Sequence, residues 1–161
     1  MQVNIEYLAD RPDLVSYVAE WLFKEWGHRS PDGTAQGMVC TLTERLNHDK
    51  LPLALVALRE NEPLGIVSLK LKEVEIRPQY EHWLGTLYVH KSKRGKGIGS
   101  LLIKAAAKEA NRLGIGELYL YTRNRENERL YAKLGWTVVE RLEYQGRPAV
   151  IMKRILTSKY G

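Results

Sequence analysis

Cysteine occurs once, at Cys40, so the chain can form no internal disulfide and carries no mark of an oxidising compartment. Cys40 falls in a predicted helix and reads as a small buried hydrophobe. Histidine is scarce as well: His28, His48, His82 and His90 never recur at metal-ligand spacing with the cysteine or with one another, and no metal is implied. No apolar run approaches the length of a membrane span, and the first residues lack the basic-then-apolar plan of a signal peptide. The expectation is a cytoplasmic protein without a membrane partner. Internal repeats, low-complexity tracts and interdomain linkers are also missing, so the 161 residues read as one domain over 1–156 with a frayed tail over 157–161.

What is present is an ordinary globular composition, 44% hydrophobic and 27% charged, with a formal net charge of +6. Strands are expected at 3–8, 53–58, 64–71, from Trp83 to Val89, and at 117–121, 136–143 and 148–155, by alternation or by short apolar runs. Helices are expected behind Asp10-Arg-Pro12-Asp13 up to Gly27, through Met38, Leu42 and Leu46, from the glycines at 95–99 to Gly114, and over 125–134. Ile98, Leu101, Leu102, Ala105, Ala106 and Leu113 mark the apolar face of the third helix. This mixture of strands and helices points to an α/β chain.

The run Tyr88-Val89-His90-Lys91-Ser92-Lys93-Arg94-Gly95-Lys96-Gly97-Ile98-Gly99 carries most of the functional information. Glycines at alternate positions leave the main-chain N–H groups uncovered, and the helix behind them points unpaired donors and its positive end at the loop. Phosphate is the usual guest of such a site. Two nucleotide motifs fail on register: no Gly-Lys has the spacing of G-x-x-x-x-G-K-[ST], and G-x-G-x-x-G breaks at Ser100 from Gly95 and at Leu102 from Gly97. Lys91, Lys93, Arg94 and Lys96 cluster beside the glycines instead of forming a stripe, which disfavours nucleic acid as partner.

The loop does match R-x-x-G-x-G at Arg94, Gly97 and Gly99, shortly after a strand valine. About thirty residues on, Asn124, Leu130, Tyr131, Gly135 and Trp136 match N-x-x-A-x-x-L-Y-x-x-x-G-[FW], with Asn127 where a small residue is usual. In both motifs and their order the chain resembles the GNAT N-acetyltransferase superfamily. The resemblance implies a central twisted mixed sheet of six to seven strands flanked by about four helices, and direct transfer of acetyl from acetyl-CoA to a primary amine. It implies that main chain at Leu87, Tyr88 and Val89 holds the pantetheine arm. Arg94, Gly95, Lys96, Gly97, Ile98, Gly99 and Ser100 would then bind the pyrophosphate, and Asn124 would fix the loop or contact the coenzyme.

Tyr131 is the expected general acid for the departing thiolate, since a phenol near pKa 10 can donate to a thiolate formed within its reach. The base is open: some relatives place Glu early on the fourth strand, where this chain has Trp83, leaving neighbouring Glu81 or His82 to act through water. The first two helices would form part of the acceptor pocket, making Trp26, His28 and Glu44 candidate contacts. Trp26, Tyr80, Trp83 and Tyr144 could line that pocket, and Glu44, Glu73, Glu75 and Glu81 would suit a cationic amine. The acceptor's identity is not legible. A homodimer through the last strands is compatible with the family, and the competing readings are a CoA-binding regulatory module without catalysis and a nucleic-acid-binding protein.

Overall fold

The computed structural model describes residues 2–156, so the tail expected over 157–161 lies outside the described residues, as does the side chain of His28. Seven strands, β1 (Asn4–Tyr7), β2 (Leu53–Arg59), β3 (Glu62–Leu71), β4 (His82–Val89), β5 (Glu117–Thr122), β6 (Thr137–Tyr144) and β7 (Arg147–Ile155), form one sheet in the order β1-β2-β3-β4-β5-β7-β6. Every neighbouring pair is antiparallel except β4 and β5. A parallel pair needs a crossover, and here the crossover is a helix. The helices are α1 (Val15–Trp26), α2 (Ala35–Thr43), α3 (Ile98–Arg112) and α4 (Arg125–Lys133).

The sheet is covered on both faces. Leu55, Ala57, Val67 and Leu69 from the strands meet Leu102, Ile103 and Ala106 of α3 on one side, in a core that also holds Tyr131 and Trp136. Ala54, Val56, Leu58 and Ile66 meet Val18, Trp21 and Leu22 of α1 and Met38 and Leu42 of α2 on the other. Burial on both faces explains why β2 reads as an unbroken apolar run, LALVALR. A third cluster, with Trp83, Tyr119, Tyr144 and Ile151, lies under the β3–β4 connection, where the Trp83 indole N–H donates to the Tyr80 carbonyl at 2.7 Å.

Local signals set the helix ends. Thr34 caps α2 by accepting from the Gly37 amide at 3.0 Å, and Asn124 Oδ1 caps α4 by accepting from the Glu126 and Asn127 amides at 2.8 and 3.1 Å. The other end of α4 accounts for the Leu-Tyr-x-x-x-Gly-Trp pattern. Gly135 takes φ +96°, its amide donates to Ala132, and the Trp136 amide donates to the Tyr131 carbonyl at 3.1 Å. This is a left-handed helix cap whose apolar contact is Trp136 on Tyr131, with ring centroids 6.0 Å apart.

Three expectations are corrected. Cys40 is exposed, because α2 buries Met38 and Leu42 and position 40 falls on the opposite side of the helix. That helix also stops at Thr43, so Leu46 packs against the core from the following turn. The buried stripe of α3 includes Ile103, Ala107 and Ala110, while Leu101 remains 43% exposed.

Candidate functional site

β4 and β5 are joined by a single register pair, Trp83 opposite Tyr119, and part beyond it. On its other side β4 pairs with β3 through a bulge: Gly85 faces Ser68 and Tyr88 faces Ile66, so Thr86 and Leu87 together oppose Val67. Thr86 adopts φ +49°, a conformation that β-branched residues rarely enter. Arg45 braces it, donating from Nη1 to Thr86 Oγ1 at 3.1 Å and to the fully buried Ser68 Oγ at 2.8 Å. The parted strands open a cleft of about 350 Å³ lined by Gly85, Thr86, Leu87, Thr122, Asn124 and Tyr131 among others.

From that cleft β4 runs directly into the glycine loop. Gly97 is the N-cap of α3 at φ +81° with no side-chain cap, so the first-turn amides from Ile98 to Ser100 keep their donors free of helical partners. Gly95 is also left-handed, and no atom lies within 4 Å of where a Cβ would stand at either glycine. The backbone conformation and the approach it leaves open, not crowding, therefore call for glycine here. Arg94 folds back along the strand, its Nε donating to the Val89 carbonyl at 2.9 Å and its guanidinium 5.3 Å from the Tyr88 ring centre. Lys96 is exposed and forms no ion pair among the described residues. Tyr88 turns its side chain to the other face, against Trp21 and Trp26, leaving its main chain for the sheet.

Tyr131 lines the cleft from α4, and burial pushes its phenol up to about 12. Asn127, the departure from the small-residue position, lines the cleft too, and Asn124 joins it while capping α4. The structure thus brings Leu87, Asn124 and Tyr131 to one cleft, with the 94–100 loop at the end of β4. Glu81 and His82 are not brought there: both sit at the start of β4, Glu81 exposed with its carbonyl accepting from Lys72, and neither lines the cleft or its neighbour.

A second cavity of about 530 Å³ adjoins the cleft and shares Trp26, Arg29, Lys70, Glu73, Thr86, Tyr121, Arg123 and Arg147 with it. Of the expected acceptor aromatics, Trp26 and Tyr144 line this cavity, whereas Tyr80 and Trp83 are consumed in packing around Tyr119. Of the expected acids, Glu73 and Glu75 line it, while Glu44 and Glu81 stay outside. Glu73 is already engaged by the Lys70 ammonium at 2.5 Å, and Glu75 accepts from the Tyr144 hydroxyl at 2.7 Å. Burial depresses the Lys70 pKa, with the Glu73 charge opposing the shift. A side chain at position 85 would press on this ion pair, since a Cβ there would lie 3.1 Å from Glu73 Oε2 and 3.2 Å from Lys70 Cε.

Arg29, Arg45, Lys70, Arg123 and Arg147 line the same cavity and were not foreseen from the sequence. One signal was available: Ser68 and Lys70 break an otherwise apolar strand on a single face, as they would where a sheet turns toward a polar cavity. Among the described residues no group of three or more His, Cys, Asp or Glu converges to hold a metal ion, and no helix is long and apolar enough to cross a membrane.

Comparison with known proteins adds to this geometry. The model of the acetyltransferase (GNAT) family matches residues 13–136. No curated protein matches the sequence. The fold is shared with an acetyltransferase of the GNAT family from Streptococcus pneumoniae, at TM-score 0.73 and 23% identity over 97% of this chain and 100% of that one. It is shared with an aminoglycoside 6'-N-acetyltransferase complexed with coenzyme A, at TM-score 0.74 and 20% identity over 99% of each chain. A third is the spermidine/spermine N-acetyltransferase SpeG from Vibrio cholerae, at TM-score 0.73 and 17% identity over 96% of this chain and 95% of that one. At such identities the likeness speaks for the fold.

Proposed function

Because the chain belongs to the acetyltransferase (GNAT) family, we propose that it is an N-acetyltransferase that moves the acetyl group of acetyl-CoA directly to a primary amine. The observation that carries this reading is the parting of β4 from β5 beside an uncapped helix N-terminus, with Tyr131 on the wall between them. The residues present suit acetyl-CoA. The free amides of 98–100, with the charge of Arg94 and Lys96, would hold the pyrophosphate, and main chain of 87–89 would accompany the pantetheine arm. Two of the structural neighbours are named for amine acceptors, an aminoglycoside and spermidine or spermine, and one is complexed with coenzyme A. These names support a donor of that kind.

Acetyl-CoA supplies an activated acyl group, so that the new N–C bond forms as the C–S bond breaks and the products are the amide, the free thiol and one proton. This chain's residues supply the proton handling. Tyr131, kept protonated by burial, holds an O–H ready for the departing sulfur. Glu73 is the candidate base beside the reacting groups. Among the described residues it is the carboxylate that lines both the cleft and the adjoining cavity, where it can accept the ammonium proton directly or through a water. We read residues 1–156 as one domain, since the seven strands form a single sheet.

Calorimetric titration with acetyl-CoA, with ATP and NAD as controls, tests the donor side without any choice of acceptor. Selective micromolar or tighter binding of acetyl-CoA is expected. Equal binding of all three, or none, would withdraw the enzyme reading.

A further inference from the structure

The cavity beside the parted strands is lined by five cations and two carboxylates. Both carboxylates are occupied: Glu73 by Lys70 at 2.5 Å, and Glu75 by the Tyr144 hydroxyl at 2.7 Å. The remaining cations have no acid partner among the described residues. Arg45 donates to the Ser68 and Thr86 hydroxyls, and Arg29 lies over the Trp26 ring at 5.5 Å. Arg123 is held between the Tyr121 and Tyr144 rings, its Nη2 on the Tyr144 carbonyl at 2.7 Å and its Nε buried without a hydrogen-bond partner. Arg147, at the start of β7, is exposed and forms no ion pair among the described residues.

Five cations against two carboxylates leave this opening net positive, a field that favours an anionic ligand over a cationic one. The donor cannot supply that anion at this end. Its charge resides on phosphates, which the glycine loop would hold at the far end of β4, and the pantetheine arm that reaches the cleft is uncharged. A polyamine or an aminoglycoside, each a polycation at neutral pH, would add to the repulsion.

We propose that the acceptor is a small amine that itself carries an anionic group, a carboxylate or a phosphorus oxyacid, and that it sits where cleft and cavity meet, its amine at Glu73 and its anion among Arg29, Arg123 and Arg147. A volume of about 530 Å³ accommodates a molecule the size of an amino acid. Guanidinium groups suit this task because their forked donors match the oxygens of carboxylate and phosphonate. The inference rests on the acetyltransferase reading above.

The test has two arms. Enzyme saturated with CoA is titrated calorimetrically with L-amino acids and with 2-aminoethylphosphonate, each beside the amide or ester in which the anion is masked, and with spermidine. The same panel is run with acetyl-CoA, reading released thiol. At least one anionic amine should bind and should exceed its masked counterpart in kcat/KM by ~10-fold or more, the range of one charge-assisted hydrogen bond. The carboxylate and phosphonate members separate the two anion types. Arg147→Gln, an exposed change that spares the fold, should raise KM for that amine ~10-fold and shift the acetyl-CoA dissociation constant far less, because the pantetheine arm is uncharged, and Arg147→Lys should recover part of the loss. Preference for spermidine or for the masked counterparts would overturn the inference, as would absence of any anionic acceptor while acetyl-CoA binds. If acetyl-CoA itself does not bind, the donor reading falls and takes this one with it.

Discussion

Tyr131 has a phenol whose ionisation is opposed by burial, so its pKa of about 12 keeps it a proton donor across the working range. Replacing it with Phe should lower kcat by ~100-fold, within the span of a positioned acid, and leave the acetyl-CoA dissociation constant within a few-fold. An unaltered kcat in stopped thiol assays would remove Tyr131 from the chemistry. The same shift sets a stability signature. Because the folded pKa lies above the ordinary 10.0, the stabilisation is complete below pH 10 and is lost as pH rises through about 12. The loss amounts to about 3 kcal/mol. Denaturant melts of the Tyr131→Phe protein should show that alkaline decline reduced, the remainder belonging to Tyr7, Tyr119 and Tyr144, whose hydroxyls are also held protonated. Glu73 is the counterpart on the acid side of the reaction. Glu73→Gln should reduce kcat/KM for the acceptor ~100-fold and leave the acetyl-CoA dissociation constant within a few-fold. An unchanged kcat/KM would assign the base elsewhere.

At the scale of elements, α3 and the β4 bulge divide the work of holding the donor. Gly97→Val places a β-branched side chain at φ +81°, where nothing crowds it but the backbone resists, at a cost of ~1–2 kcal/mol. The helix core below is unaffected, so thermal melts should shift by only several degrees while acetyl-CoA affinity falls ~10-fold or more. Retained affinity would mean that the first turn of α3 does not hold the phosphates. The bulge depends on Arg45, which reaches from just beyond α2 to Ser68 on β3 and Thr86 on β4. Ser68→Ala alone should cost ~1–2 kcal/mol, because a buried guanidinium loses a partner. In an Arg45→Met background the same change should cost almost nothing, since the donor it served is gone. A coupling near zero in this double-mutant cycle would show that the two side chains do not act together.

At the scale of the molecule, the order of strands and helices was legible because each element carries its own period and punctuation. β2 reads as buried from its apolar run, α4 from Asn124 at one end and Gly135-Trp136 at the other. The glycine loop was legible for the same reason: its residues are contiguous. The acceptor cavity was not, since Arg29, Arg45, Lys70, Arg123 and Arg147 come from five separate stretches and meet only once the sheet is assembled. Acids stand out as contacts for an amine when read singly, and only the fold reveals that Glu73 and Glu75 already have partners. The net charge of +6 accordingly has two foci, the loop at 91–96 and the cavity beside the cleft. A field of this sign should draw acetyl-CoA in and hold the anionic end of the acceptor at the arginines, and salt should weaken both over a Debye length of about 10 Å at 0.1 M. Between ~20 and ~500 mM NaCl, kcat/KM for the true acceptor should therefore fall several-fold, as should the association rate of acetyl-CoA. The folded state should change little over that range, because its cores are apolar. A cationic acceptor would respond with the opposite sign, its kcat/KM rising as salt screens the repulsion. The direction of the salt dependence thus reports the charge of whatever amine the cavity was shaped to receive.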